Sequence, residues 1–498
     1  MDRVHLYLLS FFTNAVILVF EIAGGRLLAP YIGTTVGVWA GLIAVVLGGM
    51  AFGYHYGGKL GDKDASRERI GFFLFLAGIA ALFAWGARDL IPTFLAPTGY
   101  ASPTLGALII GTLLFVPTVV FLAIVSPMIA KNLLKQLNES ARVIGELNAA
   151  GTAGAIIGAV ATGMLLIPYF SVDLIFLGIA VSILVAAFLV SEKRMRKLLV
   201  LLIALAFALA LNAVPNAADG WVADITTTYN RVVLTERTQD AERTLYLATN
   251  PFGYQCAMYV DDEGRADEDR LVKNYQLAHD TIVRSFFPDG PKRMLFLGGC
   301  VFTFPRYLLS HFPDSSAEVV EIDPGMTDVA KEYFGFFPER FPTLSIINED
   351  ARIFVNQDHA QYDIVYHDTF DSAGRVPFQL MTKEMFERVA ALVNEDGLLL
   401  INAHGAYQGE GLLYPSAYAK TIAQSFKNVA LYQFTNSPLR NQNLVILASH
   451  TRELPDALSH PLYPDLMLKK EPLRENVIVL TDDYAPVDGI AREKLRVN

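Results

Sequence analysis

The sequence predicts an α-helical membrane bundle of about seven spans over residues 1–215, followed by a small β-region and an α/β domain with a mainly parallel sheet. Three observations predict it. The 498-residue chain is 53% hydrophobic and only 18% charged, well away from the average soluble composition. Long apolar stretches crowd into its first 215 residues. Beyond Pro215 the pattern turns to short alternating segments and then to repeated strand-and-helix units.

A helix needs about 20 mostly apolar residues to cross about 30 Å of hydrocarbon. The stretches near 5–29, 36–57, 70–91, 104–130, 147–168, 172–190 and 198–214 meet or approach that length. The first is too long, and too closely followed by others, to be a cleaved signal peptide. Glycines at Gly37/Gly41, Gly49/Gly53/Gly57 and Gly154/Gly158 recur at the spacing that lets two helices approach closely. Glu21 lies deep in the first span, where an ionised carboxylate costs about 2.5–3.5 kcal/mol unless it is paired or faces water. With Arg26 it reads either as an ion pair inside the bundle or as part of a solute pathway. Asn148 reads as a hydrogen bond between helices.

Basic residues in short loops set the orientation. Lys59, Lys63, Arg67 and Arg69 follow the second stretch, Lys131, Lys135 and Arg142 the fourth, and Lys193, Arg194, Arg196 and Lys197 the sixth. This predicts a multi-pass inner-membrane protein with a cytosolic N-terminus. Seven spans then put the soluble half outside, whereas the cytosolic supply of the cofactor inferred below argues for the inside.

Residues 216–290 hold alternating segments, RVVLTERT and RTLYLAT among them, that read as strands of a small β-rich region. Residues 291–450 alternate strands (MLFLGG, AEVVEID, LSIINED, YDIVYHD, GLLLINAH, VALYQF, NLVILAS) with segments of helical spacing, and 451–498 form a tail expected to pack on them. Apolar strands alternating with helices predict a mainly parallel sheet covered on both faces. Ligands bind beyond the carboxyl ends of such strands.

Those ends carry Gly298 and Gly299, then Glu321 and Asp323, then Asp350 with Ala351, then Asp368 and Asp371. Singly, each acid reads as a helix cap or a solvated residue; at successive strand ends they read as one ligand cleft. The glycine pair lets backbone approach a ligand, and an acid about 20 residues on suits a ribose diol. Residues 1–215 hold 14 Lys/Arg and 10 Asp/Glu, leaving 26 and 40 for the rest, so the soluble half is acidic. That disfavours nucleic acid and suits a cationic small molecule. Two cysteines, Cys256 and Cys300, make no disulfide framework and no cysteine-rich metal site.

EIAGGRLLAPYIGTTVGVW, GYHYGGKLGDK and ELNAAGTAGAIIGAVATGMLLIP in the first half resemble the membrane region of the membrane-fused bacterial branch of the spermidine synthases, the polyamine aminopropyltransferases. VVEIDP, NEDARIF, YDIVYHDTFD, MTKEMFERVAALVNEDGLLLIN and LTDDYAPVD resemble that family's enzyme domain. The resemblance implies a Rossmann-like, methyltransferase-type fold that transfers an aminopropyl group from decarboxylated S-adenosylmethionine to a diamine such as putrescine, with no metal. It implies Asp368 as the base, Asp371 and Gln255 as diamine contacts, and His279 at the family's histidine position. Glu321 would hold ribose and Asp350 adenine, with Ala351 offering its backbone. Asp482 and Asp483 would cap or tether the tail. Related soluble synthases commonly form dimers, which implies a homodimer beside the lipid bilayer and the amine as partners. Two departures stand out. Cys300 and Val301, followed by Phe302, replace a third glycine and an aspartate, and Lys273 replaces a tyrosine six residues before His279. Val301 removes a charge that disfavours a carboxylate, which opens S-adenosylmethionine-dependent methyl transfer as an alternative. Lys273 and Glu21 open another, a non-catalytic polyamine or nucleoside sensor coupled to transport.

Overall fold

The computed structural model describes residues 2–91, 103–134, 140–191, 194–212, 220–239, 242–250, 253–261, 266–370, 375–435 and 437–487. The chain divides into two compact units, Met1–Asn216 and Ala217–Asn498.

Among the described residues of the first unit, six helices are long and apolar enough to cross a membrane: Arg3–Ile32, Val36–Lys63, Arg67–Gly86, Pro103–Leu133, Ser140–Tyr169 and Val172–Val190. The seventh apolar stretch forms the helix Arg194–Asn212, but its apolar part, Val200–Leu209, is shorter than the others, so the expected seven becomes six by this requirement. Asp2, Thr35, Ser66 and Ser171 cap four of the helices, each accepting from a backbone N–H of the first turn. The glycine stripes act as read: a Cβ on Gly57 would come within 2.7 Å of the Ile124 carbonyl oxygen, and one on Gly158 within 2.5 Å of the Ala15 oxygen. Asn148 is exposed rather than set between helices. The polar contacts there run from Ser10 Oγ to the Leu147 carbonyl (3.4 Å) and from the Tyr7 hydroxyl to Glu146 (2.6 Å). Glu21 is half-buried.

The second unit opens with four antiparallel strands in sequential order: β1 (Trp221–Thr226), β2 (Arg231–Gln239), β3 (Glu242–Ala248) and β4 (Cys256–Val260). Helix α1 (Asn274–Phe286) leads into β5 (Arg293–Leu297), β6 (Ser316–Val320), β7 (Leu344–Ile347), β8 (Tyr362–His367), β9 (Val393–Gly405), β10 (Asn428–Gln433), β11 (Gln442–Ser449), β12 (Ala457–Ser459) and β13 (Met467–Glu471). These nine strands lie in the order β12-β13-β10-β11-β9-β8-β5-β6-β7. From β9 to β7 the neighbours are parallel, whereas VALYQF and NLVILAS join the sheet antiparallel, as β10 and β11. Strand periodicity explains the continuous apolar runs: Met294 and Phe296 enter the core on one face, Leu295 and Leu297 the core on the other.

Candidate active site

Parallel strands β7, β6, β5 and β8 are neighbours and end at one edge of the sheet. Backbone bonds lock the turns that follow: Gly298 N–H donates to the Val320 carbonyl (2.9 Å), Asp368 N–H to Leu297 (2.9 Å) and Glu321 N–H to Ile347 (3.0 Å). At a strand spacing of about 4.8 Å, Asp368, the glycine pair, Glu321 and Asp350 share roughly 15 Å of that edge.

Gly298 has φ +91°, and a side chain there would run into the Asp368 carbonyl; a Cβ on Gly299 would lie 2.6 Å from Val319 Cγ1. Cys300 and Phe302 also take the left-handed conformation, with φ of 47° and 60°, a strain that non-glycine residues hold only where packing enforces it. Here the enforcement is visible. Phe302 is wholly buried with its ring 5.2 Å from that of Phe336, Val301 is buried beside it, and a disulfide joins Cys300 to Cys256 across a Cα separation of 6.6 Å. The bridge ties β4, and with it Gln255, to the glycine turn.

The Glu321 carboxylate accepts from the N–H groups of Gly299 (2.9 Å), Cys300 (3.2 Å) and Asp323 (3.0 Å). Burial nevertheless pushes it up to about 7. Asp323 does a different job: it caps the helix Pro324–Tyr333 through Gly325 N–H and holds Thr227 and Asn230 of the β1–β2 turn. Asp350 caps the helix Ala351–Val355, accepting from Arg352 N–H at 2.7 Å, and Ala351 is buried behind it. Asp482 does tether the tail, accepting from Arg352 and from the Thr382 hydroxyl, both at 2.6 Å.

Asp368 follows β8. Burial pushes its carboxyl up to about 6, against the pull of hydrogen bonds from Asn402 Nδ2 (2.9 Å) and the Tyr275 hydroxyl. Neither donor was expected from the sequence. Asn402 stands at a strand end, in GLLLINAH, and that position was its available signal. Tyr275, four residues before His279, supplies the phenol that the resemblance sought at position 273. Lys273 instead turns its ammonium to the Tyr254 carbonyl (2.6 Å), and burial brings it down to about 8. His279 reads from the sequence either as a core residue or as a substrate contact. It is fully buried among the rings of Tyr275, Phe304 and Tyr366, burial takes it down to about 3, and among the described residues neither ring nitrogen has a hydrogen-bond partner. The Gln255 side-chain oxygen accepts from Thr249 N–H at 2.7 Å. Asp371 lies outside the described residues.

A glycine turn followed by acids on the carboxyl edge of a parallel sheet forms a cleft of the kind that binds nucleotide ligands. Residues 276–455 match the family model of the spermine/spermidine synthase domain. A polyamine aminopropyltransferase of Vibrio vulnificus is 28% identical over 222 residues, 42% of this chain and 73% of the relative. An N-terminal histidine N-methyltransferase of Emericella nidulans is 30% identical over 214 residues, 41% of this chain but 36% of the relative. The crystal structure of a probable spermidine synthase from Corynebacterium glutamicum aligns at a TM-score of 0.40 with 19% identity, covering 48% of this chain and 82% of that one.

Proposed function

We propose that the protein is a membrane-anchored aminopropyltransferase acting on decarboxylated S-adenosylmethionine and a diamine such as putrescine. The first unit would cross the membrane seven times, the helix Arg194–Asn212 included. In the cleft, Glu321 takes the ribose hydroxyls, Asp350 and Ala351 the adenine edge, and Gly298 and Gly299 leave room for the cofactor backbone. Gln255 and Asp371 are assigned to the amine by the family resemblance alone.

An ammonium has no lone pair and cannot attack. Asp368 accepts the proton as the amine nitrogen bonds to the aminopropyl carbon next to the sulfonium; the carbon–sulfur bond breaks, its electron pair stays on sulfur, and neutral methylthioadenosine leaves. The observation that carries this reading is Asp368 itself, a carboxylate beside the glycine turn held by two neutral donors. A positioned base contributes about 10²–10⁴-fold. Full-length protein in detergent, given putrescine and decarboxylated cofactor, should release methylthioadenosine, and Asp368→Asn should cut kcat about 10³-fold while the cofactor still binds. Cofactor binding with no product from the unaltered protein would overturn the reading.

Methyl transfer is the second reading, favoured by the buried, apolar Val301 in the glycine turn and by the likeness to the histidine methyltransferase. Competition separates the two: tighter binding of the carboxylated cofactor would favour methyl transfer.

A further inference from the structure

We propose that Asn443 and His404 are positioning residues for Asp368, forming a hydrogen-bond relay that makes Asn402 turn its NH2 group, and never its carbonyl, toward the carboxylate. The proposal rests on the reading of Asp368 as the base. Strand register builds the relay. In the antiparallel pair β9–β11, Asn443 lies opposite His404 and Val445 opposite Asn402. Alternate residues of a strand share a face, so Asn402, His404 and Asn443 project from the same side of the sheet.

Asn443 Nδ2 lies 2.9 Å from Asn402 Oδ1 and 2.9 Å from His404 Nε2. An amide nitrogen carries two hydrogens and no acceptor, so one goes to each partner. That assignment requires an unprotonated Nε2, hence a neutral imidazole with its proton on Nδ1. The surroundings keep it so: His404 packs against Phe370 at 4.7 Å between ring centroids, and burial takes it down to about 4. With its oxygen occupied by Asn443, Asn402 has its own NH2 for Asp368 Oδ1 at 2.9 Å. A reversed Asn402 would set carbonyl against carboxylate and NH2 against NH2. The other titratable groups set against Asp368 are the phenols of Tyr275, from α1, and Tyr366, from β8. Neither constrains Asn402. His404 and Asn443 thus act on the base without touching it, and they favour its ionised, proton-accepting form.

The test uses the full chain in detergent. Two readouts follow Asp368: the lower of the two breaks in the acid limb of the kcat/KM profile with putrescine, and the direct titration of its carboxyl by ¹³C NMR of labelled aspartate, assigned with Asp368→Asn. Asn443→Leu and His404→Leu should move both upward by about half a pH unit or more, while His404→Gln, which keeps an acceptor oxygen, should leave them near the unaltered values. A merely structural role would lower turnover at every pH without moving the limb. An Asp368 titration unchanged in both leucine variants overturns the relay even if turnover is lost. Full activity in Asp368→Asn would instead overturn the base assignment, leaving the relay to be judged by the titration alone.

Discussion

Two carboxylates meet at the cleft, Glu321 buried and Asp368 half-buried, and the proposed roles need both ionised: Asp368 to take a proton, Glu321 to accept from ribose hydroxyls. Burial pushes them up to about 6 and about 7. kcat/KM should therefore climb through pH 6–7 and level off above, falling about tenfold per unit between the two values and about a hundredfold per unit below both; a flat profile from pH 5 to 8 would refute the assignment. Stability runs the other way. A carboxyl whose folded pKa lies above its unfolded value binds more protons in the native state, so the protein loses stability as pH rises from about 4 through 7. Asp368→Asn, which retains acceptor capacity, should gain about 1–2 kcal/mol at pH 7.5, less than the full shift implies because the carboxyl is partly exposed, and nothing at pH 4. Thermal melts at the two pH values check it. The acids were legible in the sequence because each ends a strand. Tyr275 and Asn402 were not, since they become partners of Asp368 only when α1 and β9 are brought beside β8.

The edge shared by β7, β6, β5 and β8 was readable because fully apolar strands with acids at their carboxyl ends leave one arrangement that buries both faces. The Cys256–Cys300 bridge was not readable. Its cysteines are 44 residues apart, Cys256 in β4 of the four-stranded sheet and Cys300 in the turn that follows β5 of the nine-stranded one, so nothing local pairs them. Closing a loop of that length lowers the entropy of the unfolded chain by the equivalent of about 4 kcal/mol. Because the bridge also holds the left-handed Cys300 in the glycine turn, its loss should be felt at the cofactor. A thiol reductant should lower the melting temperature of the unaltered protein and weaken cofactor binding several-fold, and it should do nothing further to Cys256→Ser. Equal sensitivity of both proteins to reductant would show that the bridge carries no load.

The same disulfide bears on which side of the membrane the second unit occupies. On the proposed membrane reading, basic loops after the second, fourth and sixth stretches would put the N-terminus in the cytosol, and the parity of crossings would decide the rest. Helix Arg194–Asn212 has 19 residues, about 28 Å at 1.5 Å per residue, although its apolar part, Val200–Leu209, covers only about 15 Å of that. If it crosses, the second unit lies outside, where disulfides persist; the cytosol keeps thiols reduced. Parity and thiol chemistry thus give the same answer. A reporter fused after Asn498 should read non-cytosolic, and Cys256 and Cys300 should resist maleimide labelling in the denatured chain, alkylating reagent present from lysis, unless the cells are first treated with a reductant. The cofactor would then have to reach the cleft from the far side or through the first unit, where half-buried Glu21 is the acid to test. A cytosolic reporter with freely labelled thiols would overturn both the seventh crossing and the bridge in cells, and would return the cleft to the ordinary cytosolic supply of cofactor.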